Sequence, residues 1–174
     1  MRYDTPCQLT AKDFSVLEGM MDRLEDQALQ SAAVKRLLRR KLTAARVRFG
    51  DDIDPRVATI NSRIEYQIGD GRIETRVLTH GGENALPGTA LPISSLHGLA
   101  LLGLTDGDTI AVETGDGETD VLRVVRIVHQ PEAARVRRRG PSLRVVTTGA
   151  RITRRHAKES AAASEDDDRG PSAA

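Results

Sequence analysis

The 174-residue sequence predicts an α+β protein in three parts. A short N-terminal antiparallel helical hairpin (a short coiled coil) covers 1–54. An antiparallel sheet domain with one short helix covers 55–135, and a basic, largely disordered C-terminal tail covers 136–174. Three observations predict this. Apolar residues in the first 50 positions recur at alternating spacings of three and four, the period of one helical face. From 63 to 128 the pattern changes to short alternating runs separated by glycine-bearing turns, as antiparallel strands require. Beyond 135 the composition shifts to arginine, alanine, serine and an acidic run, too poor in large apolar residues to bury a core.

In the hairpin, Thr10-Ala11-Lys12-Asp13 opens the first helix. The Thr10 hydroxyl suits the cap, and Asp13 lies near the positive end of the helix dipole. Phe14, Leu17, Met21, Leu24 and Ala28 form its seam. A second helix is expected over 30–48, with Val34, Leu38, Leu42, Ala45 and Phe49 as the facing seam. The bend falls near 25–30, where neither glycine nor proline marks it. Asp54-Pro55 closes the hairpin, because proline disfavours helix at the residue before it.

Five short strands follow. Residues 63–68 alternate Ile64, Tyr66 and Ile68, and Asp70-Gly71 is a hairpin turn. Residues 72–79 place Ile73, Thr75 and Val77 on one face against Glu74 and Arg76. A loop with Gly81-Gly82 and Pro87-Gly88 leads to a short strand at 91–93. The last pair, 109–114 and 119–128, is joined by Gly115-Asp116-Gly117. Between them lies the stretch that organises the domain. Ser94 or Ser95 caps a helix on which Leu96, Leu99, Ala100 and Leu102 bury one face. Gly103 ends that helix in the left-handed region, Leu104 re-enters the core, and 105–108 form a turn.

Composition removes several function classes. There is no phosphate-cradling Gly-x-x-x-x-Gly-Lys-Ser/Thr loop. His80, His97, His129 and His156 lack metal-ligand spacing, and the single Cys7 completes no zinc site. Ser94, Ser95 and His97 lack a nucleophile elbow. No catalytic residue, metal or cofactor is therefore expected, and the protein is read as a non-enzyme. The lone cysteine fits a reducing compartment. No run approaches the ~20 apolar residues of a membrane helix, so the expected location is cytoplasmic, with no membrane partner. Four aromatics, Tyr3, Phe14, Phe49 and Tyr66, offer no platform for base stacking. Residues 1–134 carry 16 Lys/Arg and 20 Asp/Glu, a net −4, and 135–174 carry 10 and 5, a net +5. An acidic body argues against general nucleic-acid binding. The basic tail is read as a weak, salt-sensitive nucleic-acid contact at most. A monomer is expected.

Three blocks stand in order: Val57-Ala58-Thr59-Ile60-Asn61-Ser62-Arg63, then Ala100-Leu101-Leu102-Gly103-Leu104 with Gly107-Asp108, then His129-Gln130-Pro131-Glu132-Ala133-Ala134. Over about 55–134 they resemble the C-terminal domain of bacterial Gre transcript-cleavage factors. They are more similar still to the Rnk family, regulators of nucleoside diphosphate kinase and relatives of Gre. The resemblance implies an FKBP-like fold without prolyl isomerase activity. It implies core RNA polymerase as partner, Ser94, Ser95, Leu96 and His97 as a polymerase-binding loop, and Asp22, Glu25 and Asp26 as hairpin-tip acids. In Gre factors two tip carboxylates help hold a Mg²⁺ and a water in the polymerase. A helix of about 17 residues spans only ~25 Å, and a Gre arm is close to twice as long. The shorter arm leaves the acids roughly 20 Å from the catalytic metal. The expectation is a non-enzymatic regulator of transcription bound at the polymerase secondary channel. A Gre-type cleavage factor and a regulatory partner of a nucleotide-metabolism enzyme are the alternatives. The tail departs from the family pattern.

Overall fold

A computed structural model describes residues 7–26, 32–81 and 88–139. The expected bend near 25–30, the seam residue Ala28, most of the glycine-rich loop and the tail beyond 139 lie partly or wholly outside the described residues. Helix α1 spans Ala11–Asp26 and α2 spans Ala32–Ala44. Thr10 caps α1 as expected, its Oγ1 accepting from the Asp13 backbone N–H at 3.0 Å. The seams meet through Leu17 and Met20 of α1 and Val34, Leu37 and Leu38 of α2, all buried.

The second helix is shorter than its periodicity suggests. It stops at Ala44, and Arg46–Arg48 forms strand β2, paired in parallel with β1 at Gln8–Thr10. The Arg46 N–H donates to Cys7 O at 2.9 Å. A strand of three residues takes its conformation from its partner, so local pattern could not reveal it. Phe49, expected to end the seam, is consequently 76% exposed.

The main sheet holds β3 (Arg63–Ile68), β4 (Glu74–Thr79), β5 (Ala90–Pro92), β6 (Thr109–Glu113) and β7 (Thr119–His129), in the order β5-β4-β3-β7-β6. Every pairing is antiparallel except β5, which joins β4 in parallel with Val77 opposite Ala90. Two register shifts between β3 and β7 curl the sheet, since each inserts an irregularity that raises local twist. The inward parity of β4 is opposite to the expected one. Register sets Ile64 against Arg76 and Tyr66 against Glu74, so Glu74, Arg76 and Leu78 share the inner face while Ile73 is 55% exposed. The two charges are tolerated because they satisfy one another: Arg76 pairs with Glu74 at 2.9 Å, and the Tyr66 hydroxyl donates to the same carboxylate.

Helix α3 (Leu96–Leu101) lies on the inner face, and one apolar core joins it to α1, α2 and the sheet. A fourth helix, α4 (Pro131–Arg139), begins with proline at its first position, where no N–H is needed. It runs through the boundary expected at 135/136, so regular structure extends four residues into the segment expected to be disordered.

The three sequence blocks converge here. Ala58 N–H donates to Leu104 O at 2.8 Å, and Gly103 N–H returns a bond to Ala58 O at 2.7 Å. The buried Gln130 amide donates to Asp54 O and Val57 O. The Thr59 hydroxyl donates to Glu132 at 2.7 Å. Each block thus satisfies the buried polar groups of another.

Candidate functional site

The site is built around the start of α3. Ile93, fully buried, anchors the chain by donating its N–H to Thr79 O at 2.9 Å. The chain then turns, leaving Ser94 exposed. Ser95 is the cap: its Oγ accepts from Gly98 N–H at 3.1 Å and donates to Pro92 O at 2.7 Å. Of the two serines expected to cap, Ser95 does so, and its hydroxyl is occupied in holding the turn. Leu96 is half-buried. His97 reaches across to β7, its Nε2 2.7 Å from Asp120 Oδ2, with each side chain about one-third exposed. The loop therefore presents Ser94 and the edge of His97 from a backbone pinned at both ends.

The far end of α3 rests on an unusual buried group. Lys41 of α2, only 4% exposed, donates from Nζ to Leu102 O, the carbonyl at the C-terminal cap of α3, and lies 3.7 Å from Cys7 Sγ. A cation is favoured at the negative end of a helix, which offsets part of its desolvation. Burial pushes the lysine pKa below its ordinary value. Nothing local in the sequence marks Cys7 or Lys41 as buried.

A second buried charge lies at the start of α1. Burial raises the Asp13 pKa to about 6, the nearby Glu132 charge also raising it, while the Thr10 hydroxyl opposes the shift by donating to the carboxylate. The acids read as hairpin-tip candidates all lie on α1. Asp22 is exposed on α1, and Glu25 and Asp26 close the same helix. Among the described residues no group of three or more histidines, cysteines or carboxylates is placed to hold a metal ion. No described helix is long and apolar enough to cross a membrane.

Beside Leu96 a cleft of about 350 Å³ opens between α2, α3 and β6. Leu37 and Val112 form its floor, Arg36 and Arg40 its helical wall and Glu113 the opposite rim. Sequence reading missed it, since its walls come from segments some 75 residues apart.

A helical pair joined to a curled sheet, with a short capped helix against the sheet, defines a class of fold shared with the prokaryotic transcription elongation factor GreA/GreB from Nitrosomonas europaea. That structure superposes with a TM-score of 0.54 at 24% identity, covering 70% of this chain and 98% of the other. The chain belongs to the family of the regulator of nucleoside diphosphate kinase. It is 31% identical over 112 residues to that regulator from Escherichia coli (strain K12), spanning 64% of this chain and 82% of the relative. The Shigella flexneri regulator of the same name matches with the same identity and coverage. No protein-family model matches the chain.

Proposed function

We propose that the protein is a non-enzymatic regulator of transcription that binds core RNA polymerase at its secondary channel. The observation that carries this reading is the pairing of a regulator-family sequence with an elongation-factor fold. The loop of Ser94, Ser95, Leu96 and His97 is the polymerase contact, with Ser94 and His97 as its accessible side chains. The helical pair occupies the channel mouth. The partner is core polymerase, bound by a monomer in the cytoplasm, and the basic tail adds a salt-sensitive contact.

Co-migration with purified core RNA polymerase on gel filtration tests this. The wild type is expected to elute with polymerase, and Ser94→Arg combined with His97→Ala is expected to elute free with an unchanged melting temperature. Retained binding by the double variant moves the contact elsewhere.

The short arm argues against transcript cleavage. Helix α1 has 16 residues, which is ~24 Å at 1.5 Å per residue. A carboxylate acts on Mg²⁺ by direct contact near ~2.1 Å or through one bound water. Backtracked elongation complexes incubated with the protein and Mg²⁺ are expected to keep their RNA intact. Shortened RNA with wild type, absent with Glu25→Ala/Asp26→Ala, would instead establish a Gre-type cleavage factor. The name borne by the relatives favours a second reading, regulation of nucleoside diphosphate kinase. Affinity capture that recovers this kinase and no polymerase would select it.

A further inference from the structure

The cleft beside α3 has features that the polymerase-loop reading does not use. Its floor is aliphatic: Leu37 and Val112 are buried and Leu96 half-buried, while Ala33 adds only a methyl group and so leaves the space open. At about 350 Å³ it holds roughly ten waters at ~30 Å³ each, within the size range of ligand sites. Its helical wall is cationic. Of the cations of helix α2, Arg36 and Arg40 line the cleft, and the helix carries no acidic residue. Lys35 with Arg39, and Arg36 with Arg40, are spaced four apart, where like charges repel and weaken the helix. Arg36 is bridged across the cleft to Glu113 at 3.0 Å, with both side chains largely exposed. Arg39 and Arg40 are exposed and have no ion-pair partner among the described residues.

We propose that this cleft binds an acidic, leucine-bearing segment of a partner protein. An aliphatic side chain fills the floor, and a flanking carboxylate pairs with Arg40. Arginine favours this because its planar fork engages a carboxylate through two parallel hydrogen bonds. Nucleic acid fits less well. No aromatic side chain lines the cleft to stack a base, and a nucleotide has no aliphatic side chain to fill its floor. The cleft shares Leu96 with the loop assigned to polymerase, and a titration without polymerase lets either site fail independently of the other.

The isotope-labelled full chain would be titrated with the peptide acetyl-Asp-Glu-Leu-Leu-Asp-Glu-amide and followed by heteronuclear NMR. Shifts confined to Leu96, Ala111, Val112 and the α2 face are expected, with a Kd at or below about 1 mM. Replacing both peptide leucines by serine, or Arg40→Glu in the protein, is expected to weaken binding about fivefold or more. Glu113→Gln releases Arg36 to the ligand and is expected to tighten binding about twofold to threefold, a gain that an unfolded variant cannot show. Equal binding of the serine peptide would reduce the surface to charge alone and overturn the proposal. So would shifts at the cleft with a decameric oligoadenylate RNA and none with the peptide, or no shift at about 1 mM peptide.

Discussion

Asp13 shows how a single buried carboxylate sets a pH response. It is 1% exposed, and its Oδ2 has no hydrogen-bond partner. Its pKa rises from 3.8 to about 6, so the folded protein holds a proton that the unfolded chain releases. Stability therefore climbs as pH falls through about 6, and this gain is complete below the unfolded value of 3.8. At neutral pH the ionised group costs on the order of 3 kcal/mol. Asp13→Asn keeps an acceptor for Thr10 and removes the charge. It is expected to stabilise by ~1 kcal/mol at pH 7 and to remove the rise between pH 6 and 4 in urea titrations. Lys41 works in the opposite direction. Its lowered pKa means that the unfolded chain takes up a proton the folded state resists, so its contribution improves as pH rises toward the ordinary 10.5. Lys41→Met is expected to be neutral or stabilising by up to ~2 kcal/mol at pH 7 and to flatten that rise.

At the scale of the element, α3 is a helix of six residues, too short to persist alone in water. It is held by contacts that glycine alone permits. A Cβ on Gly98 would lie 2.1 Å from Pro92 O, a backbone atom with no freedom to retreat. Gly103 adopts φ +80°, and a Cβ there would meet Cys7 Sγ at 2.6 Å and Gln8 O at 2.8 Å. Gly103→Ala combines left-handed strain with overpacking, each ~1–3 kcal/mol. It is expected to lower the denaturant midpoint by the equivalent of 2 kcal/mol or more. Gly107→Ala also has positive φ but open space around it, and its cost is expected to stay near ~1 kcal/mol.

For the whole molecule, the relative strength of polar and apolar ties between the helices and the sheet decides how it unfolds. The Arg36–Glu113 bridge joins α2 to β6, but its side chains are 64% and 70% exposed. Exposed pairs contribute under about 1 kcal/mol. Leu38, fully buried in the shared core, is a different matter, and Leu38→Ala is expected to cost ~2–5 kcal/mol. Because that core joins α1, α2 and the sheet, Leu38→Ala should shift a single unfolding transition followed by far-UV circular dichroism. The sheet is not expected to unfold later than the helices. Gln130→Ala strands the Val57 carbonyl, while the Asp54 carbonyl keeps the Val57 N–H as donor, and is expected to cost ~1–3 kcal/mol, a large effect for one residue next to α4.

The sequence by itself determined the α+β class, the Thr10 cap, five sheet strands to within a few residues, and the short helix with its serine cap and glycine exit. Each is a local rule of period, cap or turn, satisfied by neighbours in the chain. The family was legible too, because its three blocks survive as short motifs in order. Only the tertiary structure decided that 46–48 leaves the helix to pair with 8–10, since a three-residue strand exists through its partner. It alone fixed which face of β4 points inward, because register across β3 overrides the strand's own alternation. It alone made Lys41 a buried cation at the end of α3, and it assembled the cleft from α2, Leu96 and β6. Burial and shape at these places are set by segments distant in the chain, and no window of local sequence contains both walls.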